Sequence, residues 1–418
     1  RHGFDAHEAI ERLYPGYKDK QVGRYIDITF LKENTIRNFK NLMLRQPEIR
    51  DSNKYSRVSV LAHSHSITAN LSMKYNYPPQ IYERETFEDI GENGNTTLKT
   101  HSTNKPVQLG LCCCNTELRK KDVYASRKMM VKSVHEKGIP ALKEKIIQNL
   151  KDILTMMDYN EAHGIKVFRL SSELFPHKSN PKVEDYDFDF AKDLLKQIGE
   201  KSKQYNQRLT FHPGQFNVVG TPDEKAFKQT ICDLEYHATV LDLMGLDNNS
   251  VMVVHGGGVY GDKEKTKARW CEQYKKLPKC VRNRLVLENC EKNFSIQDCL
   301  DVSKNIGIPV VFDTHHYACY NHFHKDETQK PASYFIPLIL QTWKARNIKP
   351  KFHVSEQGAG RCGHHSDYIE VIPDYLLEIP EKYDTHIDIM IEAKRKEQAI
   401  FKLYKTYPQL NCISNDGL

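Results

Sequence analysis

Beyond Pro106 the sequence settles into short apolar runs that alternate with longer amphipathic ones. The apolar runs cover 107–112, 166–170, 208–211, 251–254, 283–287, 308–312, 351–354 and 387–391. Each has the length and β-branched or aromatic content of a strand, and each is followed by a stretch with helical spacing. The clearest helix is 142–162, where Ile146, Leu150, Ile153, Leu154 and Met157 share a face. Others are expected at 190–205, 224–244, 295–306, 334–346 and 396–404, with Gly164, Gly245 and Gly307 as stops and Ser295 as an N-cap. Eight such units predict an α/β chain folded as a (β/α)8 TIM barrel over residues 106–418. A doubly wound open sheet is the structural alternative, but it would not bring many strand ends to one point.

The ends of these strands carry unusual chemistry. His212 closes the third, His255 the fourth, Glu288 the fifth, Asp313 the sixth and Glu392 the eighth; His353 lies in the seventh, and His316 and His365 in the following loops. A carboxylate such as Glu288 at the end of a buried strand is costly unless it is paired or binds a metal. Taken singly, a strand-end histidine is most often a hydrogen-bonded structural residue, and an aspartate after a strand is often a helix cap. Five strands ending in His, Asp or Glu make a poor coincidence. A nitrogen and carboxylate set of this size suits two or three divalent ions, Mn²⁺ or Zn²⁺. In two-metal phosphoryl chemistry one ion generates hydroxide and another stabilises the leaving oxygen, with a carboxylate such as Glu288 bridging them. The run His255-Gly256-Gly257-Gly258 lacks the trailing GK[ST] of a phosphate-binding P-loop.

Residues 1–105 differ in character. Helices are plausible at 5–13 and 34–44, His63 and His65 read as polar residues of a connecting segment, and 85–105 is polar and rich in Gly, Asn and Thr. This N-terminal extension is expected to be separate from the barrel, and its fold and role are open. A net charge of +7 allows a nucleic-acid partner without demanding one. The 11 cysteines, with Cys112, Cys113 and Cys114 consecutive, match neither a disulfide framework nor a zinc-finger spacing, which points to free thiols in a reducing compartment. The polar opening Arg1-His2-Gly3-Phe4-Asp5 does not read as a secretory signal, and there is no apolar run long enough to span a bilayer. The expectation is an intracellular protein, nuclear or cytoplasmic and not secreted, with no membrane partner.

From 107 to about 400 the sequence resembles the UV damage endonuclease family, relatives of endonuclease IV among the xylose-isomerase-like barrels. The resemblance is carried by Gln108-Leu109-Gly110-Leu111-Cys112 with Asn115, by Phe168-Arg169-Leu170-Ser171-Ser172-Glu173-Leu174-Phe175-Pro176, and by His212-Pro213-Gly214-Gln215-Phe216. It continues through Val254-His255-Gly256-Gly257, Leu287-Glu288-Asn289, Phe312-Asp313-Thr314-His315-His316, Lys351-Phe352-His353, Gly363-His364-His365-Ser366-Asp367-Tyr368 and Met390-Ile391-Glu392-Ala393-Lys394.

The resemblance implies a metal-dependent DNA repair endonuclease. It would hydrolyse the phosphodiester bond immediately 5′ of a cyclobutane pyrimidine dimer or 6-4 photoproduct, leaving a 3′-hydroxyl and a 5′-phosphate. The implied ligands are His212, His255, Glu288, Asp313, His316, His353, His365 and Glu392, with manganese the usual metal. Glu288, His255 and Lys351 are expected to carry the chemistry. Lys351 matches a lysine that the family can hold in carboxylated form; a lysine contacting phosphate is the plainer reading. Gln215 and Phe216 match a Gln-Tyr pair that enters the duplex beside the lesion, and Asn115 matches an asparagine that contacts it. A photodimer stacks poorly, so flipping it out is easier than flipping normal bases, and a wedge side chain fills the gap. The implied partner is double-stranded DNA carrying UV photoproducts, bound by a monomer. An apurinic/apyrimidinic endonuclease of the endonuclease IV type is the alternative, followed by a sugar isomerase on the same barrel and a catalytically dead DNA-binding module. Two positions depart from the family. Asn180 stands where a histidine ligand is common, with His177 three residues earlier, and Leu111 stands near a usual aromatic.

Overall fold

The computed structural model describes residues 105–327 and 330–413. The expectations for residues 1–104, two helices, the His63 and His65 segment and most of the polar linker, lie outside the described residues. The eight strands are β1 Val107–Cys112, β2 Val167–Leu170, β3 Arg208–Phe211, β4 Met252–His255, β5 Leu285–Glu288, β6 Val310–Val311, β7 Lys351–Val354 and β8 Ile387–Ile391. All pairings are parallel, in the order β6-β5-β4-β3-β2-β1-β8-β7. The seam between β6 and β7 is joined by one bridge, Asp313 to His353, with the His353 amide donating to the Phe312 carbonyl at 3.0 Å. The sheet is thus a TIM-type barrel, as the sequence predicts. Register already does part of the work of the site: His255 lies opposite Glu288, and the seam is made by Asp313 and His353.

The helices are α1 Thr116–Lys120, α2 Val131–Ala162, α3 Lys192–Tyr205, α4 Glu224–Leu243, α5 Lys263–Lys276, α6 Lys279–Arg284, α7 Ile296–Ile306, α8 Thr314–Phe323, α9 Ala332–Lys344, α10 Asp374–Leu377, α11 Ile379–Tyr383 and α12 Glu397–Thr406. Helix α2 is interrupted by non-helical Gly138 (φ 79°), just before Pro140, so its regular part begins close to the expected start. Helix α7 has a full capping box, Ser295 with Asp298, and stops at Gly307 in the left-handed conformation; such a cap is worth about 1 kcal/mol. Trp343 on α9 buries its indole and donates to the Val310 carbonyl at 2.7 Å, which fixes that helix to the short strand β6.

Six helices, α1, α5, α6, α8, α10 and α11, were not anticipated from the periodicity, and α1, α10 and α11 are only four or five residues long. Helix α5 is rich in lysine and buries only Thr266, Trp270 and Tyr274, one residue per turn. Helix α6 is a single short piece leading into β5. Helix α8 buries a run of polar residues, among them His315 and His316, and so lacks an amphipathic contrast. Among the described residues no helix is long and apolar enough to cross a membrane.

Candidate metal centre

Glu288 ends β5 and is buried. Its Oε2 lies 3.0 Å from His212 Nε2 and 3.0 Å from His255 Nε2, and its Oε1 lies 2.7 Å from His353 Nδ1. Burial opposes its ionisation, but His353, His255 and His212 outweigh burial and hold its carboxyl well below the usual range. Burial pushes His212 down, and it pushes His353 down to about 4. A carboxylate facing neutral imidazoles is the protonation pattern that metal ligands need. His212 Nε2 is within hydrogen-bonding distance of Glu288 Oε2, at 3.0 Å, and its Nδ1 lies 3.3 Å from the Pro213 carbonyl; the tautomer with the proton on Nδ1 would free Nε2 to ligate a cation. His255 Nε2, although 3.0 Å from the same oxygen, makes no hydrogen bond at all.

Asp313 follows β6 and takes the helix-cap role that its position suggested. Its Oδ1 caps α8, accepting from the amides of His315 at 2.7 Å and His316 at 2.8 Å. Its Oδ2 is buried without a hydrogen-bond partner. Burial, with Glu288 and Glu392 nearby, raises Asp313 to about 6. Asn289 locks the backbone here: its Nδ2 donates to the Asp313 carbonyl at 3.1 Å and its Oδ1 accepts from the Asp313 amide at 2.9 Å. The Asn289 carbonyl accepts from His316 Nδ1 at 2.9 Å, which leaves Nε2 free to ligate. Burial opposes a charge on His316, yet Asp313, Glu288, Glu291 and Glu392 together push it up to about 10. That is the signature of a point that attracts positive charge.

Glu392, after β8, lies 3.2 Å from His353 Nδ1 and is paired with Arg169 of β2. Burial disfavours its charge, but Arg169 and His353 hold it far below the usual range. Lys351 is fully buried, with Nζ 2.9 Å from His353 Nε2. Burial, Arg169 and Arg208 push this lysine down to about 7. His365 stands beside the set, its Nδ1 donating to the Glu392 carbonyl at 2.8 Å.

Three groups of donor atoms result, each within 4.8 Å: His212, His255 and Glu288; Glu288, Asp313 and His316; Asp313, His353 and Glu392. They share Glu288 and Asp313. The donor types and the two unpartnered atoms, His255 Nε2 and Asp313 Oδ2, fit a cluster of divalent cations. His365 is in none of the three groups. Arg169 and Asn289, which orient Glu392 and Asp313, had no assigned role from sequence; a charged residue inside an apolar strand was the available signal for Arg169.

The loop after β3 carries Gln215 and Phe216 to the surface, with Phe216 61% exposed. The turn is pinned by Asn217, whose amide donates to the Gly214 carbonyl at 2.9 Å and whose Nδ2 donates to Asp233 Oδ2 at 2.7 Å. A Cβ at Gly214 would meet Phe216 Cε1 at 2.5 Å, so a larger residue there would push the exposed ring aside. Behind the ring lies a cavity of about 500 Å³, lined in part by Phe216, Phe175, His177 and Tyr236.

The model of the UV-endonuclease UvdE family matches residues 107–417, which is most of the chain. This chain belongs to that family. A protein of Acanthamoeba polyphaga mimivirus named for UV-damage endonuclease activity is 41% identical over 306 residues, covering 72% of this chain and 91% of its own length. The UV-damage endonuclease of Schizosaccharomyces pombe is 34% identical over 328 residues, 73% of this chain but only 52% of its own length, so the chain spans about half of that relative. The crystal structure of SacUVDE superposes with a TM-score of 0.63 at 29% identity, covering 73% of this chain and all of that one. UvdE membership implies a DNA repair endonuclease, a hydrolase.

Three positions of this UvdE chain behave differently from a simple transfer of family roles. Asn115 is buried and caps α1, accepting from the Leu118 amide at 2.8 Å, so it reaches a lesion only if that turn opens. Leu111 is buried within β1 and is part of the core. His177 uses both ring nitrogens: Nε2 donates to the Met129 carbonyl at 2.6 Å, and Asn180 Nδ2 donates to Nδ1 at 3.1 Å. In this arrangement His177 has no lone pair left to replace the ligand that Asn180 lacks.

Proposed function

We propose that the chain hydrolyses the phosphodiester bond immediately 5′ of UV photoproducts in double-stranded DNA, leaving a 3′-hydroxyl and a 5′-phosphate. The observation that carries this reading is the convergence of His212, His255, Glu288, Asp313, His316, His353 and Glu392 from successive strand ends, with lone pairs left over for cations. Two or three divalent ions, Mn²⁺ or Zn²⁺, held by these residues would supply Lewis acidity toward the phosphate and an activated water at neutral pH. Glu288 bridges the first two donor groups and sets their spacing. His255 would offer its unpartnered Nε2 to the group it forms with His212 and Glu288. Asp313 joins the second and third groups, and Arg169 keeps Glu392 ionised and in place. His365, hydrogen-bonded to the Glu392 carbonyl at 2.8 Å, would stand beside the set as a further ligand.

Burial of Lys351 argues against contact with a phosphate. Held near neutral pKa, its amine is the form that adds to CO2 and loses a proton to give a carbamate, a further carboxylate beside His353. Gln215 and Phe216 enter the duplex beside the lesion; Phe216 keeps the aromatic face needed for stacking. The protein acts as a monomer, held to the DNA by phosphate contacts that weaken with salt.

The test uses the full chain with Mn²⁺ and two end-labelled duplexes, one with a defined photodimer and one with an abasic site. A nick 5′ of the dimer supports the proposal. Cleavage of the abasic duplex alone would replace it with the endonuclease IV type of reaction.

A further inference from the structure

At the end of β1 the chain makes a turn that side chains usually avoid. The Cys114 amide donates to the Cys112 carbonyl at 2.8 Å, and Cys113 between them has φ 65°. A γ-turn with positive φ is rare and strained for a residue with a Cβ. Such strain persists only where the surroundings enforce it, and it clusters at functional sites. Here Arg169 of β2 enforces it. The Arg169 carbonyl accepts from the Cys113 amide at 2.9 Å, and its Nε–H donates to Cys113 Sγ at 3.4 Å. Its Nη2 contacts Cys112 Sγ and its Nη1 contacts Glu392. The two sulfur atoms are 3.9 Å apart, with Cys112 donating to Cys113. Cys112 is buried and Cys113 is partly exposed. One guanidinium therefore joins a pair of adjacent thiols to a carboxylate of the metal set.

We propose that Cys112 and Cys113 form a reversible thiol switch on the metal centre, with a hydroperoxide as oxidant. Cys113 is the attacking sulfur. The hydrogen bond from Cys112 holds it well below the ordinary thiol range; burial opposes this and Arg169 adds to it. The same bond, with burial, raises Cys112. A thiolate beside a thiol is the pairing the reaction needs. The Cys113 thiolate displaces hydroxide from the peroxide and becomes a sulfenic acid. The Cys112 sulfur then displaces the sulfenic hydroxyl, which leaves as water with the Cys112 proton. Over both steps two thiols lose two hydrogens and hydrogen peroxide becomes two waters. Neighbouring Cα atoms are about 3.8 Å apart, closer than disulfides usually span, so the bond is strained and easily reduced. Oxidation removes the sulfur anion from Arg169, which then bonds Glu392 alone and draws it away from the metals. The thiol chemistry stands apart from the nuclease reading; only a loss of cleavage rests on it.

The experiment treats the metal-loaded full chain with hydrogen peroxide below stoichiometry, alkylates the remaining thiols, maps the peptides by mass and measures Mn²⁺ affinity. The peptide containing Cys112 and Cys113 is expected to lose two hydrogens before the exposed Cys232 reacts, and dithiothreitol restores it. Mn²⁺ affinity falls about 10–100-fold in the oxidised form, the range for disturbing a partner of a ligand. Cys112→Ser leaves a sulfenic acid on Cys113 that dimedone traps. Cys113→Gly, which suits the positive φ, keeps its Mn²⁺ affinity under peroxide. Oxidation of Cys232 while the pair stays reduced overturns the proposal, as does a disulfide that leaves Mn²⁺ affinity unchanged.

Discussion

At the N-terminal mouth of the barrel Asp388 is fully buried, with Oδ1 2.5 Å from Lys349 Nζ and Oδ2 2.7 Å from Arg208 Nη1. Lys349 also donates to Gln108 at 2.8 Å, and Arg208 to the Asn249 carbonyl at 2.6 Å. At the C-terminal mouth Glu288 is equally buried, but it faces His212 and His353, which burial pushes toward the neutral form, and it lies in one donor cluster with a second buried carboxylate, Asp313. The lower carboxylate is neutralised within the protein. The upper set collects anions and lone pairs beyond what Arg169 can balance. In TIM barrels function sits at the C-terminal face and stability at the other, and here charge compensation separates the two.

Glu288→Gln is the strongest way to break that contrast. Removing the bridging charge should lower cleavage by on the order of 10³-fold or more, while binding to a damaged duplex in a gel-shift assay persists. Turnover near that of the parent protein would remove Glu288 from the mechanism and make the two mouths alike.

Asp388→Asn is the converse. Leaving the half-buried Lys349 and Arg208 unbalanced should reduce stability by about 1–3 kcal/mol, below the cost for fully buried charges, read by urea unfolding, while cleavage by the folded fraction stays within a few-fold. Acid gives a second reading. Burial works against ionisation of Asp388, but Lys349 and Arg208 hold its pKa below the usual value. A depressed folded pKa means that its stabilisation is complete above the unfolded value, about 3.9, and is lost as pH falls through the folded one. The parent protein should therefore lose stability below about pH 4 more steeply than Asp388→Asn. Parallel acid profiles would show that the lower network contributes little.

Chelation should be smaller and confined to the upper mouth. An ion bound only by the folded state stabilises it by about 2.7 kcal/mol at 100 times its Kd. Removing divalent ions should lower the unfolding midpoint of the parent and of Asp388→Asn by similar amounts, and that of Glu288→Gln by much less. An equal drop in all three variants would place the stabilising ion elsewhere.

The contrast was half legible in the sequence. Strand ends are local features, so His212, His255, Glu288, Asp313 and Glu392 could be read from the point where each apolar run stops. What makes the set a cluster is long-range. The reciprocal Asn289–Asp313 backbone lock, the Arg169–Glu392 pair and the seam at His353 depend on register between segments far apart in sequence. The same holds for what did not transfer: nothing local to His177 shows that Met129 and Asn180 occupy both its nitrogens, and nothing local to Asn115 shows that it is buried as a cap. The Asp388 network was missed because an aspartate inside an apolar run reads as an exposed alternation, not as the centre of a buried ion pair.

Phe216 tests whether the upper mouth divides again, into a part that holds cations and a part that selects DNA. Its ring is exposed and its turn is pinned by Asn217, independently of the donor cluster. Base–aromatic stacking is worth about 1–3 kcal/mol, so Phe216→Ala should weaken binding to a photodimer duplex by roughly 5–150-fold relative to undamaged duplex. Mn²⁺ affinity and the unfolding midpoint should not change, because the ring covers little of the core. Gln215→Ala should act in the same direction, lowering discrimination more than the rate of the bound complex. Phe216→Tyr adds a hydroxyl and leaves the stacking face intact, so it should retain the parent's discrimination. If Phe216→Ala instead lowered Mn²⁺ affinity together with lesion binding, selection and catalysis would share one structural unit, and the division of the upper mouth would fail.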